Sequence, residues 1–193
     1  MPHHASRTVL CCALALLGTG RVAHAQNSGQ ASAATDSTVV ANPTYISIPL
    51  EITVNRPAAE VWKRVGKFCD IGEWLQIPCK ITSGADGEFG AVRSVAGEVL
   101  VGRTELSYTY TQTVRAGRPY NLYHGTLEAR PVTATTSKLV YTLVFDNSML
   151  ADDAAREKDK VQKTAVFTRA LQNMKTLAEG GTLPPPPARG GKQ

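Results

Sequence analysis

Four tyrosines that recur on successive strand-like segments are the side chains of this sequence best suited to contact a ligand. The segments alternate apolar and polar residues, so one face of the strands would carry all four: Tyr108, Tyr110, Tyr123 and Tyr141. A buried phenol offers an apolar ring together with a hydroxyl that needs a hydrogen-bond partner. The pattern therefore predicts an apolar pocket with a few orienting hydroxyls, although the same rings could also fill a solid core.

Arg93 adds a charge to the same predicted surface. It shares a strand face with Ala91 and Val95, so its guanidinium is expected to point inward. A buried arginine must be paired with a carboxylate or must meet an anionic ligand. Glu98 and Glu105 are the candidate internal partners, and the sequence does not choose between a partner and a ligand.

Acid–base and metal chemistry has little support in the remaining residues. His3, His4 and His24 belong to the N-terminal segment described below, which leaves His124, on the strand face opposite to Tyr123. One histidine with two cysteines is a poor zinc set, and an ordinary tyrosine is a weak acid at neutral pH. The sequence has no Gly-x-Ser-x-Gly, Gly-x-Gly-x-x-Gly or phosphate-loop motif. We therefore predict no catalytic residue, no metal site and no cofactor.

The elements that would hold these side chains begin with a strand and two short helices. Apolar residues alternate from Tyr45 to Val54, which predicts a strand with one buried face. Asn55 is expected to cap the following helix, and Pro57 suits its first turn. The helical spacing breaks at Gly66, and a second short helix is predicted to end near Trp74.

Six more strands and one long helix are predicted after this segment. The strands are expected at Cys79–Ser83, Ala91–Ala96, Glu98–Val101, Arg103–Val114, Tyr120–Arg130 and Ser137–Asn147. Their short connections favour antiparallel neighbours. From Leu150 to Glu179 there is no Gly or Pro, and 30 residues would make a helix of about 45 Å. Its C-terminal half is expected to be packed, and its charged N-terminal half to be more exposed to water.

Several short motifs occur in a recognisable order along the chain. They are the helix start Pro57-Ala58-Ala59-Glu60-Val61-Trp62, the spacing of Phe68 and Trp74, the strand Gly90-Ala91-Val92-Arg93 and the strand Tyr123-His124-Gly125-Thr126-Leu127. Over residues 45–179 these motifs resemble the START-like (SRPBCC) superfamily of polyketide cyclases, lipid-transfer domains and Bet v 1-like proteins. The resemblance implies an α+β helix-grip fold: a curved antiparallel sheet of about seven strands, two short helices after the first strand and a long C-terminal helix.

The same resemblance implies an apolar cavity between the sheet and the C-terminal helix. The predicted ligand-binding residues are Trp74, Arg93, Tyr108, Tyr110, Tyr123, Tyr141, Phe145, Phe167 and Leu171. Trp74 is expected at the mouth of the cavity, with packing beneath the short helices as the alternative. We predict a binding or transport protein for a small hydrophobic or amphipathic molecule, such as a lipid or an aromatic metabolite. The alternatives are a cyclase- or dehydratase-like enzyme that uses the same cavity, and an interaction or stress protein with a vestigial cavity.

Residues 1–25 have the pattern of a secretory signal. Arg7 precedes the apolar run from Val9 to Gly18, and Ala23-His24-Ala25 offers a small-x-small cleavage site. We therefore predict an exported protein, periplasmic or secreted, without stable membrane insertion once the signal is removed. Residues 26–43 are predicted to be a disordered leader, 44–179 the START-like domain, and 180–193 a disordered tail rich in Pro and Gly.

Two cysteines and a modest positive charge remain after removal of the signal. Cys69 and Cys79 are an even pair in an exported protein, which predicts a disulfide, with two free thiols as the alternative. Loss of Arg7 and Arg21 leaves 19 basic residues against 16 acidic ones, a net charge of +3. The basic residues are scattered, so we predict no nucleic-acid binding. The sequence does not indicate an oligomeric state.

Overall fold

The computed structural model describes residues 42–115 and 120–186, which form a curved antiparallel sheet with two short helices and one long helix. In chain order the elements are β1 (Tyr45–Val54), α1 (Ala58–Val65), α2 (Ile71–Trp74), β2 (Ile81–Ser83), β3 (Val92–Arg93), β4 (Glu98–Arg103), β5 (Ser107–Gln112), β6 (Tyr123–Pro131), β7 (Ser137–Asp146) and α3 (Asp153–Ala178). The predicted signal, most of the predicted leader and residues 187–193 lie outside the described residues.

The seven strands are arranged in the order β1-β7-β6-β5-β4-β3-β2, and every neighbouring pair is antiparallel. β1 joins the sheet beside β7, with Tyr45 opposite Asp146 and Val54 opposite Ser137. This places β1 and β2 at the two edges. Pro49 lies within β1, in a position that a sheet tolerates at its edge because proline has no N–H to donate. The predicted helix-grip fold is confirmed.

Side chains on the concave face of the sheet pack against the C-terminal half of α3. Alternate residues of β5, β6 and β7 are buried, as period-two strands with one covered face require. The buried residues of α3 are Phe167, Ala170, Leu171, Met174 and Leu177. No described side chain of α3 before Phe167 is buried. The predicted contrast between a packed and a more exposed half of this helix is confirmed.

Several element boundaries differ from the predictions because local polar groups end the elements. α3 begins at Asp153 rather than Leu150, since the Asp152 carboxylate accepts a hydrogen bond from the Ala155 N–H at 2.7 Å and caps the helix. β4 extends to Arg103, and a turn in which the Thr104 N–H donates to the Ser107 carbonyl at 2.9 Å separates it from β5.

The predicted capping role of Asn55 is wrong. α1 has Pro57 at its N-cap position, and no side chain caps it. The backbone N–H of Asn55 instead donates to Glu179 Oε1 at 2.8 Å, beside the C-terminus of α3. Lys175 Nζ donates to the same oxygen at 2.6 Å. Glu179 therefore connects the segment between β1 and α1 to the last turn of the long helix, and Lys175 and Asn55 together lower the pKa of its carboxyl.

Glu179→Gln is expected to lower the free energy of unfolding by about 0.5–1 kcal/mol at neutral pH. A carboxyl whose pKa is lowered on folding stabilises the protein above its unfolded pKa, near 4.3, and loses that effect as the pH falls through the folded value. The difference between wild type and variant in urea denaturation should therefore shrink below about pH 4. Glu157→Gln, on the exposed surface of the same helix, is the control and should change little at any pH. A difference for Glu179→Gln that stays constant on acidification would contradict the assignment.

A disordered tail was predicted from residue 180 onward, but Gly181, Leu183 and Pro184 contact the domain, while the segment 180–186 is otherwise exposed. The Gly181 N–H donates to the Thr176 carbonyl at 2.8 Å, and Leu183 packs against the core. Gln76 Nε2 donates to the Pro184 carbonyl at 2.6 Å. An apolar contact and this amide hydrogen bond therefore hold the beginning of the tail beside α2.

The predicted disulfide between Cys69 and Cys79 is present, and their Cα atoms lie 5.6 Å apart. It closes a loop that contains α2 and ends just before β2. None of the helices in residues 42–115 and 120–186 combines the length and the apolar composition that a bilayer span needs.

Candidate functional site

Arg93 and Glu98 form a buried ion pair at the junction of β3 and β4. They are opposite each other in the strand register, and the Arg93 side chain is fully buried. Arg93 Nε donates to Glu98 Oε2 at 2.6 Å, and Nη2 lies 2.6 Å from the same oxygen. Gln112 Nε2 donates to Glu98 Oε1 at 3.2 Å. The internal partner of Arg93 is therefore Glu98, while Glu105 is exposed.

Aromatic rings and a backbone carbonyl contact the rest of the Arg93 guanidinium. Its central carbon lies 4.2 Å from the centroid of the Phe68 ring and 4.6 Å from that of Tyr110. Nη1 donates to the Phe68 carbonyl at 2.5 Å and lies 3.5 Å from the Tyr108 hydroxyl. Burial raises the pKa of Glu98, and the charge of Arg93 opposes this rise. The Arg93 guanidinium is thus surrounded by groups of the protein itself.

The four tyrosines share the concave face, as predicted, and are almost completely buried. The hydroxyls of Tyr110 and Tyr141 form a hydrogen bond of 2.9 Å. Burial raises the pKa of both groups well above the usual value of tyrosine, and it also raises the pKa of Tyr108 and Tyr123. These hydroxyls are neutral at physiological pH. They are suited to hydrogen bonding and poorly suited to proton transfer.

Gly125 explains how the Tyr110 ring fits on the sheet. The two residues are opposite each other on β5 and β6, and a Cβ at position 125 would overlap the Tyr110 ring. The absence of a side chain lets this ring lie against the β6 backbone with its hydroxyl directed at Tyr141. The glycine of the Tyr-x-Gly-Thr-Leu motif is therefore part of the interior arrangement.

Trp74 lies inside the core, so its predicted place at the mouth of a cavity is wrong. Its side chain is fully buried, and its ring meets Tyr141 edge-on with centroids 6.2 Å apart. Its backbone carbonyl accepts a hydrogen bond from Asn173 Nδ2 of α3 at 2.8 Å. Trp74 therefore has the alternative role that was predicted for it, packing beneath the short helices.

All nine predicted ligand-binding residues come together, and they fill the space where the cavity was expected. Phe167 lies 4.6 Å from Tyr141 and Phe145 lies 5.7 Å from Tyr123, measured between ring centroids. Leu171 is buried in the same cluster. Phenol and indole rings, with the help of Gly125, are large enough to span the gap between the sheet and α3. The interior in this structure is a packed core.

An open cleft lies elsewhere, between the C-terminal end of α1 and the hairpin of β4 and β5. Its volume is about 480 Å³. It is lined by Trp62, Gly66, Lys67, Phe68, Asp86, Gly87, Leu100, Arg103, Thr104, Glu105, Ser107 and Tyr108. We call this space the α1 cleft. Tyr108 is the one residue of the predicted site that lines it.

Three aromatic side chains of the α1 cleft pack against one another. The Tyr108 ring lies 5.7 Å from Trp62 and 5.6 Å from Phe68, between centroids. Gly66 lies directly against the Trp62 ring, where a Cβ would overlap it. Sequence reasoning did not assign Trp62, Phe68 or Leu100 to a site. The available signal was Trp62, a tryptophan on a short helix that is followed four residues later by the glycine at the helix end.

Two further clefts lie beside α2. One, of about 280 Å³, is bounded by residues 74–77, part of α3 and Pro186, and the other, of about 440 Å³, by residues around Gln76 and Thr182. None of the three clefts is lined by both the sheet and α3. Within the ranges that the structure describes, no three His, Cys, Asp or Glu side chains are grouped as metal ligands.

Comparison with known proteins agrees with this fold. Residues 45–179 match the sequence profile described as polyketide cyclase/dehydrase and lipid transport. Among solved structures, the chain is similar to the Zhui aromatase/cyclase from a Streptomyces species, at 19% identity and a TM-score of 0.55, over 72% of this chain and 100% of that one.

Two further structures have a similar degree of likeness. A Thermobifida fusca protein is 22% identical with a TM-score of 0.54, over 71% of this chain and 97% of that one. A Nitrosospira multiformis protein is 22% identical with a TM-score of 0.51, over 67% and 96% of the two chains. Likeness at these identities shows the fold alone. Among curated proteins, none matches the sequence.

Proposed function

Because the chain belongs to the polyketide cyclase/dehydrase and lipid transport family, we propose that it binds a small hydrophobic or amphipathic molecule, such as a lipid or an aromatic metabolite. The observation that carries this proposal is the α1 cleft with its three aromatic side chains. Its volume of about 480 Å³ falls within the usual range for small-molecule sites.

The chemistry of the α1 cleft supports a ligand with an apolar body and a polar edge. Trp62, Phe68 and Tyr108 offer ring surfaces for stacking, and Leu100 adds an aliphatic one. Lys67 and Arg103 on its rim are positive, whereas Asp86 and Glu105 are negative. A polar group of the ligand would therefore remain near the rim, where it keeps contact with water and with either charge.

Cyclase- or dehydratase-like catalysis is the second candidate, and one contact favours it. Tyr108 lines the α1 cleft and its hydroxyl lies 3.5 Å from Arg93, so it connects the ion pair with the cleft. Catalysis would require this hydroxyl to exchange a proton with the ligand. Burial raises the pKa of Tyr108, although Arg93 opposes the rise. A phenol with a raised pKa is a poor acid, so binding is the better-supported function.

Export is part of the same proposal. The signal pattern of residues 1–25 is the basis for it, and the Cys69–Cys79 disulfide adds support because disulfides persist in oxidising compartments. An exported carrier would meet its ligand in the periplasm or outside the cell. Detection of the protein starting at Gln26 in a periplasmic or culture fraction would test this.

Ser107→Trp is expected to fill the α1 cleft and to weaken ligand binding at least about tenfold. Ser107 lines the cleft and is half-buried, so an indole placed there would occupy the space of the ligand. Ser47→Trp on the exposed side of β1 is the matched control and should leave the affinity unchanged. Native mass spectrometry of protein from its own host would identify a co-purifying ligand, and titration calorimetry of both variants would measure its affinity.

Equal affinities for Ser107→Trp and Ser47→Trp would place the binding site outside the α1 cleft. Turnover of the bound molecule, abolished by Tyr108→Phe, would favour the enzyme. A wild-type protein that carries no ligand and shows no thermal shift with a panel of lipids and aromatic compounds would contradict the binding proposal and favour a vestigial cavity.

A further inference from the structure

An apolar groove lies between the segment at the end of α2 and the middle of α3. Residues 74–77 line it on one side, and Val166 and Ala170 line it from α3, around a volume of about 280 Å³. Leu75 and Ile77 are half-buried, and Val166 is 43% exposed. These side chains give the groove a surface that an apolar partner can cover. We call this space the α2–α3 groove.

The chain turns toward this groove where α3 ends. Gly180 has a φ of 90°, a left-handed conformation that commonly ends helices and redirects the chain. Leu183 then packs against the core, and Pro186, three residues later, lines the α2–α3 groove. A polyproline II helix has about three residues per turn, so residues at this spacing lie on the same side of it. The contacts of the tail therefore fit a polyproline II helix that begins at Pro184 and crosses the groove.

Gln76 offers a hydrogen-bond donor to this segment from an unusual backbone conformation. Its φ is 55°, in the left-handed region that residues with a Cβ rarely adopt. Glycine would adopt this conformation without strain. The side chain that glycine lacks is in use here, because Gln76 Nε2 donates to the Pro184 carbonyl at 2.6 Å. A strained residue whose side chain binds the tail indicates that the contact has a function.

The chemistry of the α2–α3 groove matches that of a proline run. Proline has no backbone N–H, so a proline run is bound through its carbonyl oxygens and the apolar faces of its rings. Gln76 and Arg169 line the groove and both carry N–H donors, while no carboxylate of the described residues lines it. A polyproline II segment is already extended before it binds, so it loses little conformational entropy on docking.

We propose that the α2–α3 groove is a recognition surface for polyproline II segments, and that the proline run of the chain's own tail is its ligand. Gln76 binds the carbonyl of Pro184, and the ring of Pro186 lies in the apolar part of the groove. No residue lines both this groove and the α1 cleft. The inference therefore goes beyond the proposed function and does not depend on it. A proline-rich segment of another chain must displace the tail, which is present at a high effective concentration.

Binding of a fluorescein-labelled peptide with the sequence of residues 182–189 tests the recognition surface. The full-length variant in which the four prolines 184–187 are replaced by serine, called here the serine variant, has no proline run of its own to compete. Fluorescence anisotropy should show that the peptide binds the serine variant at least about tenfold more tightly than wild type. A peptide with alanine in place of its prolines is the control and should bind neither protein. Equal binding to both proteins, or no binding to the serine variant up to about 1 mM, would overturn the proposal.

Val166→Glu and its matched control Val161→Glu locate the binding surface. Both valines are exposed on α3, and of the two only Val166 lines the α2–α3 groove. In the serine variant, Val166→Glu is expected to weaken peptide binding at least about tenfold, because it places a carboxylate against a segment that has acceptors and no N–H donors. Val161→Glu should leave the affinity unchanged. Equal affinities of the two would place peptide binding outside this groove and overturn the proposal.

Gln76→Gly separates recognition of the proline run from stability of the fold. Glycine adopts the left-handed conformation without strain, so the melting temperature should stay the same or rise. In the serine variant, the same substitution should weaken peptide binding about fivefold, because the hydrogen bond to the proline carbonyl is lost. A lower melting temperature together with an unchanged affinity would show that Gln76 only stabilises the fold, and would overturn its role in recognition.

Analytical ultracentrifugation of the wild-type protein distinguishes the chain's own tail from the tail of a second copy. A monomer over the whole range of protein concentrations, with a peptide affinity that does not depend on concentration, is the expected result. A dimer that dissociates when the peptide is added would show that a second copy supplies the proline run. That outcome would overturn the assignment of the tail to its own groove.

Discussion

Replacing Glu98 by glutamine is expected to lower the free energy of unfolding by about 3–5 kcal/mol, the largest effect of any single change considered for this protein. The substitution keeps the shape of the side chain and removes its charge. The Arg93 guanidinium would then remain fully buried without a counter-charge. The pair lies between β3 and β4 and contacts Phe68, so the loss should also loosen the wall of the α1 cleft.

Urea denaturation of three variants separates the charge from the packing. Glu105→Gln is the matched control at the exposed position, and its effect should stay within about 0.5 kcal/mol. The double variant Arg93→Met with Glu98→Leu removes both charges and should recover most of the stability lost in Glu98→Gln, since no uncompensated charge is left. If the double variant is as unstable as Glu98→Gln, the hydrogen bonds of the pair, and not its charge balance, stabilise the protein at this position.

Replacing both cysteines, Cys69→Ala with Cys79→Ala, is expected to cost about 2–3 kcal/mol, on the basis of loop-closure entropy for a separation of 10 residues. For a domain of this size the loss corresponds to a decrease in melting temperature of roughly 10 °C. Reduction of the wild-type protein should reproduce the decrease in calorimetry. The same reducing agent added to the double variant is the control and should have no effect.

A decrease of less than about 2 °C on reduction would contradict a stabilising role for the disulfide. The bond closes the segment that carries α2 and Trp74, and Phe68 directly precedes Cys69. Reduction should therefore also weaken ligand binding in the α1 cleft. Affinity that is unchanged on reduction would show that the ion pair and Phe68 keep their positions without the disulfide.

Most of the correct predictions rest on the alternation of side chains between the two faces of a strand. The alternation around Tyr108 and Tyr141 depends on the two-residue period of a strand, which is a local property, and it placed both rings on the concave face. The packed half of α3 followed from helical spacing in the same way. Boundaries were less accurate, since the start of α3 depends on one hydrogen bond to Asp152.

The location of open space was not predictable from the same patterns. Whether a sheet and a helix leave a cavity depends on how side chains from distant segments meet. Tyr110 reaches Tyr141 because Gly125 leaves room for its ring, and Trp74 closes the gap from the side of α2. Whether Trp74 lies at the surface or in the core depends on all of these contacts at once. Trp62 and Phe68 were not predicted, because the resemblance implies a cavity between the sheet and α3, and the α1 cleft lies outside that interior.

Pro49 at the middle of β1 limits how copies of this protein can associate. Among the described residues no strand pairs with the outer edge of β1, and a free edge of ten residues offers a template on which another chain can add a further strand. The proline ring interrupts that template at its centre, since it contributes no donor and blocks close approach of a neighbouring backbone. Fibril-like stacking of copies along this edge is therefore disfavoured.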